Sequence, residues 1–95
     1  MKPFEDYSRQ DLESIRLTFV VSWARAVALA MQNYKHTAYG PVITPVEGGW
    51  RCNVTTKADR ELIATSDDLC VAICEVALQL YDAYDTSGQS ECGAV

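Results

Sequence analysis

The stretch VITPVEGGWRCNVTT, residues 42–56, decides the fold. Two runs rich in β-branched residues flank Gly48-Gly49, and glycine supplies the positive φ angles that tight hairpin turns need. After the turn, Trp50, Cys52 and Val54 alternate with Arg51, Asn53 and Thr55. That period of two marks a strand buried on one face, with Cys52 pointing inward. Pro45 has no amide proton to donate, so the strand before the turn belongs at a sheet edge. Lys57 to Arg60 reads as a second turn, and ELIAT (61–65) as a third short strand with Leu62 and Ala64 on one face.

On either side of this β-rich centre the period changes to that of a helix. Ser8 is a helix cap, and Asp11 three residues on completes a capping box, with Tyr7 and Leu12 placed as a hydrophobic staple. From there Leu12, Ile15, Phe19, Trp23, Ala26, Val27 and Ala30 share one helical face. The pattern predicts one helix to about Gln32 or Asn33, roughly 36 Å long. Its polar stripe is narrow: Asp11, Ser14, Thr18, Ser22, Arg25 and Gln32. Leu17, Val21, Ala24 and Ala28 form a second apolar flank. Such a helix needs cover on two sides, from the C-terminal helix, a twin subunit or a foreign partner. Asn33 is a C-cap and Gly40-Pro41 ends any continuation.

The last helix is expected from Thr65 or Ser66, with Asp67 and Asp68 in its first turn favouring the helix dipole. Leu69, Cys70, Ile73, Val76, Ala77, Leu80, Tyr81 and Tyr84 make its apolar arc. The order is α-β-β-β-α. The expected fold is α+β, a three-stranded antiparallel meander packed against a long N-terminal helix and a C-terminal helix. Residues 1–86 form one domain, and 87–95 are expected to be a flexible tail of small residues.

Ninety-five residues leave no room for a second core. A net charge of −5 disfavours phosphate backbones and anionic membranes, and suits docking on a basic surface. The N-terminus lacks the apolar run of a secretory signal. The most apolar window, Leu17 to Met31, contains Arg25 and is too short for a membrane span. A cytoplasmic protein with reduced cysteines is expected.

Few residues suggest chemistry. Cys70 and Cys74 are one turn apart and, with Cys52 and His36, nominally make up four zinc ligands. They lack the tight knuckle pairs of structural zinc sites, and Cys70 and Cys74 lie within the apolar arc. They read as small hydrophobes, with no metal or cofactor expected. Cys92, in the tail, is the thiol expected to oxidise. His36, the single histidine, has no nucleophile or orienting carboxylate beside it and reads as a surface loop residue. Glycine-rich phosphate cradles and nucleophile elbows are absent from the sequence. The chain is therefore expected to be non-enzymatic. The wet edge of the last helix carries Glu75, Gln79, Asp82 and Asp85, a candidate docking ridge for a basic partner. Asp82 and Asp85 lie near the helix end, where acid opposes the dipole.

The α-β-β-β-α order, from about Ser8 to Asp85, resembles the double-stranded-RNA-binding domain. That resemblance implies RNA docking through lysines at the start of the last helix, where this chain has TSDDLC, and its turn is EGG. Small size, acidity and scarcity of motifs are similar in general character to accessory proteins of bacteriophages and mobile elements, anti-CRISPR proteins among them. That likeness implies inhibition of a host enzyme or nucleic-acid-handling complex. The expected function is thus a small acidic protein-interaction module, with a protein or protein complex bearing a basic surface as its partner and a homodimer through the N-terminal helix among the expectations. The alternatives are a nucleic-acid-binding module and a cysteine-based metal or redox domain.

Overall fold

Residues 37–66 form a three-stranded antiparallel sheet in the order β1-β2-β3: β1 Thr37–Val46, β2 Gly49–Thr56 and β3 Glu61–Ser66. The computed structural model describes residues 2–84, and the expected tail lies outside them. Pro45 is on an edge strand, opposite Trp50. Trp50, Cys52, Val54 and Thr56 face inward, and Leu62 and Ala64 join them from β3. Of the two turn glycines only Gly48 has a positive φ (80°). Gly49 is required for a different reason: a Cβ there would lie 2.2 Å from the Ser66 carbonyl oxygen. β1 also begins earlier than expected, running through Gly40-Pro41 with register shifts between Thr37 and Val42.

The expected N-terminal helix is two helices. A 3-10 turn, Phe4–Asp6, leads into α1, Arg9–Thr18, and α2 spans Val21–Gln32. The capping box forms at Ser8: its hydroxyl accepts from the Asp11 amide and the Asp11 carboxylate from the Ser8 amide, each at 3.0 Å. The Ser8 amide, followed by Lys2, holds the Asp11 carboxyl below its ordinary range. Asn33 caps α2 as expected, its side chain donating to the Leu29 carbonyl at 3.1 Å.

The break between α1 and α2 has a local cause. Thr18, Phe19, Val20 and Val21 are four consecutive β-branched or aromatic residues, which lose rotamer freedom in a helix. The Thr18 hydroxyl donates to the Ile15 carbonyl (2.7 Å) and accepts from the Val20 amide (3.3 Å), so it satisfies both sides of the interruption. Phe19 sits at φ 58°, ψ 23°, in the left-handed region. Beyond it the helical phase resets. Ala24, Val27, Ala30 and Met31 now face the core, while Phe19 and Trp23, expected there, are exposed.

The last helix, α3, spans Leu69–Tyr84, starting later than expected. Asp68 caps it, its carboxylate accepting from the Val71 amide at 3.2 Å, because Ser66 is still paired in β3. α3 packs on β2 and β3 with one side and against α1 and α2 with the other. Eight of its residues are buried in consequence. The architecture is α-α-β-β-β-α, with α3 at its centre.

Candidate functional site

The acidic edge of α3 faces the chain's own first helix. Arg9 of α1 pairs with Asp82, and Arg16 pairs with Glu75 at 3.5 Å. The two arginines are seven residues apart, as are the two acids, in opposite order. The pairs therefore hold α1 and α3 antiparallel across two turns. Gln79, between the acids, donates to the Ile63 carbonyl of edge strand β3 at 2.8 Å. Asp85 lies outside the described residues. Glu75, Gln79 and Asp82 thus share one edge, and each has a partner within the chain.

Cys52, Cys70 and Cys74 are free thiols buried between sheet and helices. Burial pushes the Cys52 thiol up to about 11. Cys74 rises to about 12, through burial first and then its neighbour Cys70. Burial and the Asp68 carboxylate raise Cys70 as well. A nucleophilic or metal-binding cysteine requires the thiolate, so these environments oppose both roles. Among the described residues, no group of three or more His, Cys, Asp or Glu is placed to hold a metal ion. Cys92 lies outside them.

His36 lies in the turn between α2 and β1, as expected, but not on the open surface. It is half-buried, its ring stacked on Tyr84 (centroids 4.0 Å apart, planes 6° apart) and edge-on to Tyr34 at 5.2 Å. Phe4 lies 4.9 Å from Tyr34, so the cluster ties the N-terminal turn to the end of α3. Desolvation, then Glu5 and Tyr84, raises the Tyr34 hydroxyl. The histidine sits in a packing cluster, because the chain turning from α2 into β1 passes beneath the C-terminal turn of α3.

The most unusual surface is the α1–α2 junction. Leu17 is 70% exposed, Phe19 58%, Val21 55% and Trp23 52%, with Val20 beside them. Five large apolar side chains exposed within seven residues are a concentration that scattered surface residues rarely reach. Next to the run lies a cleft of about 140 Å³ between α2, β1 and the start of α3, walled by Val21, Ala24, Ala28, Ile43, Leu69 and Ile73. Arg25 lines its rim. Sequence periodicity assigned these junction residues to helix faces. The available signal was the Thr18–Val21 run, whose low helix propensity marks the break.

Among the described residues, no helix is long and apolar enough to cross a membrane. No family model, no curated protein and no solved structure matches this chain.

Proposed function

We propose that this chain is a small acidic, non-enzymatic protein-interaction module that engages its partner through the apolar α1–α2 junction. The observation behind this reading is the exposure of Leu17, Phe19, Val20, Val21 and Trp23 at the junction, where Val21 also walls a cleft with apolar sides. Interfaces concentrate their energy in a few large apolar or aromatic anchors surrounded by a polar rim. The net charge of −5 supports a partner with a basic surface, because charge steers encounter at long range. Glu75 and Asp82 contribute to that field, while their arginine pairing reduces their value as direct contacts. Buried thiols held neutral support a role without cysteine chemistry, in a cytoplasmic setting where they stay reduced. Inhibition of a host enzyme or nucleic-acid-handling complex by a phage or mobile-element accessory protein is the specific form of this proposal.

The test compares two baits in a host extract, the unaltered chain and a Phe19→Gly/Trp23→Ser variant. A partner retained by the first, lost with the second and released by raised salt is the expected result. Identical protein sets on both baits would overturn the junction as the binding surface.

A further inference from the structure

We infer that the free edge of β3 takes up an extended peptide segment, which adds as a fourth strand in the groove between β3 and α3. This surface lies at the opposite edge of the sheet from the cleft beside β1, and the inference stands apart from the α1–α2 junction.

The direction of the backbone groups carries the inference. The Thr56 amide donates to the Arg60 carbonyl at 2.8 Å, so these two residues bond across the β2–β3 pair. Bonded and non-bonded pairs alternate in an antiparallel ladder. Leu62, Ala64 and Ser66 therefore bond to β2, while Glu61, Ile63 and Thr65 turn their amides and carbonyls outward. Gln79 agrees with this sense, because its side chain donates to the Ile63 carbonyl from outside the sheet. Among the described residues, no strand lies beyond β3.

The other edge is closed. Trp50 and Cys52 direct their backbone toward β3, so their β1 neighbours Pro45 and Ile43 face away from the sheet. Pro45 has no amide proton, Pro41 stands two residues before Ile43, and the register shifts just ahead of Val42. Prolines and bulges are devices that keep edge strands from pairing. β3 has neither: Glu61 to Thr65 pair with β2 in one unbroken register, and the sequence there contains no proline.

Outward amides and carbonyls that recur every second residue fit another extended backbone. Space for one exists beside β3, in a groove of about 400 Å³ lined by Arg60, Leu62, Gln79, Asp82 and Ala83. A second whole copy fits this edge poorly. The helix edge that carries Gln79 also carries Glu75 and Asp82, which hold Arg16 and Arg9, so α1 stands on the same side as the open strand. Two copies meeting there would bring α1 against α1 and one chain at −5 against another. A single strand is slimmer and can carry the opposite charge. Its inward residues, against Leu62 and Ala83, are small and apolar. Its outward residues continue the face of Glu61, Ile63 and Thr65 and are polar, and basic flanks suit the acidic chain.

The probe is a blocked heptapeptide of alternating threonine and valine with lysine at each end. It is titrated to about 2 mM into the isotope-labelled 95-residue chain and followed by amide NMR. The expected result is a set of shifts centred on Glu61, Ile63, Thr65 and the Gln79 side chain, with solvent exchange of the Ile63 and Thr65 amides slowed about tenfold or more. Gln79→Ala frees the Ile63 carbonyl and should tighten binding about threefold. Ile63→Pro and Thr65→Pro each remove an amide that does not bond to β2, and each should weaken binding about tenfold or more, with circular dichroism reporting that the variant is folded. The same peptide N-methylated along its pairing edge needs no change to the protein and should lose binding to the same extent. Absence of shifts up to about 2 mM, shifts centred away from β3 and α3, or equal binding by the N-methylated peptide overturns the inference. Self-association through β3 in the absence of peptide, lost in the proline variants, overturns the peptide in favour of a second copy.

Discussion

Helix α3 and the segment from Leu17 to Trp23 are both strongly apolar in sequence, yet eight side chains of α3 are buried while five apolar ones in the segment face solvent. The difference is position. α3 lies between the sheet and the other two helices, so nearly every direction around its axis meets another element. The segment 17–23 forms the outer corner where α1 turns into α2, and a corner has no facing layer. Equal hydrophobicity therefore has opposite consequences: it stabilises the monomer in one place and in the other leaves apolar surface exposed, the surface that the proposed function assigns to a partner.

Paired substitutions sharpen this comparison most. Leu80 is fully buried, and Leu80→Ala should cost about 2–5 kcal/mol in urea unfolding. Leu17→Ala at the open corner should stay within about 0.5 kcal/mol in monomer conditions. A comparable cost at both sites would break the contrast.

Next in size is the alkaline response of the filled region. The Cys52 and Cys74 thiols, raised to about 11 and about 12, stay neutral in the folded state after the unfolded chain has begun to ionise. Their stabilising contribution is complete below the ordinary thiol range near about 8.5 and is lost as pH rises toward the folded values, by about 1.4 kcal/mol per pH unit for each thiol. Urea midpoints between pH 8 and 10.5 should fall, and a Cys52→Ala/Cys74→Ala variant should flatten that slope. An unchanged slope would contradict the protonated, buried state of these groups.

A further effect has the opposite sign. Phe19→Gly removes a side chain from a left-handed position and should stabilise the monomer by about 1 kcal/mol. In thermal unfolding of a dilute sample that amounts to a rise of about 4–8 °C. A fall in melting temperature would show that the Phe19 ring supports the monomer fold after all.

Most of the sheet was legible because its signals are local. The alternation in Trp50–Thr55, the edge position of Pro45 and the second turn at Lys57–Arg60 each follow from a few adjacent residues. The Ser8 capping box is local in the same way. Periodicity failed at Phe19, because an apolar repeat continues through a break while the helical phase does not. The candidate acidic edge was legible as a face, since Glu75, Gln79 and Asp82 share a helix. Their partners Arg9, Ile63 and Arg16 are distant in sequence, and local pattern contains no information about them.

The sequence by itself determined the α+β class, the antiparallel meander, the capped helix start and the inward-facing cysteines. These depend on backbone sterics, turn chemistry and periodic burial within short windows. Tertiary structure alone decided that α3 would be central, that the acids of α3 would meet the arginines of α1, and that the residues around Phe19 would be left uncovered. Burial depends on which elements stand opposite one another, and that arrangement is a property of the whole chain.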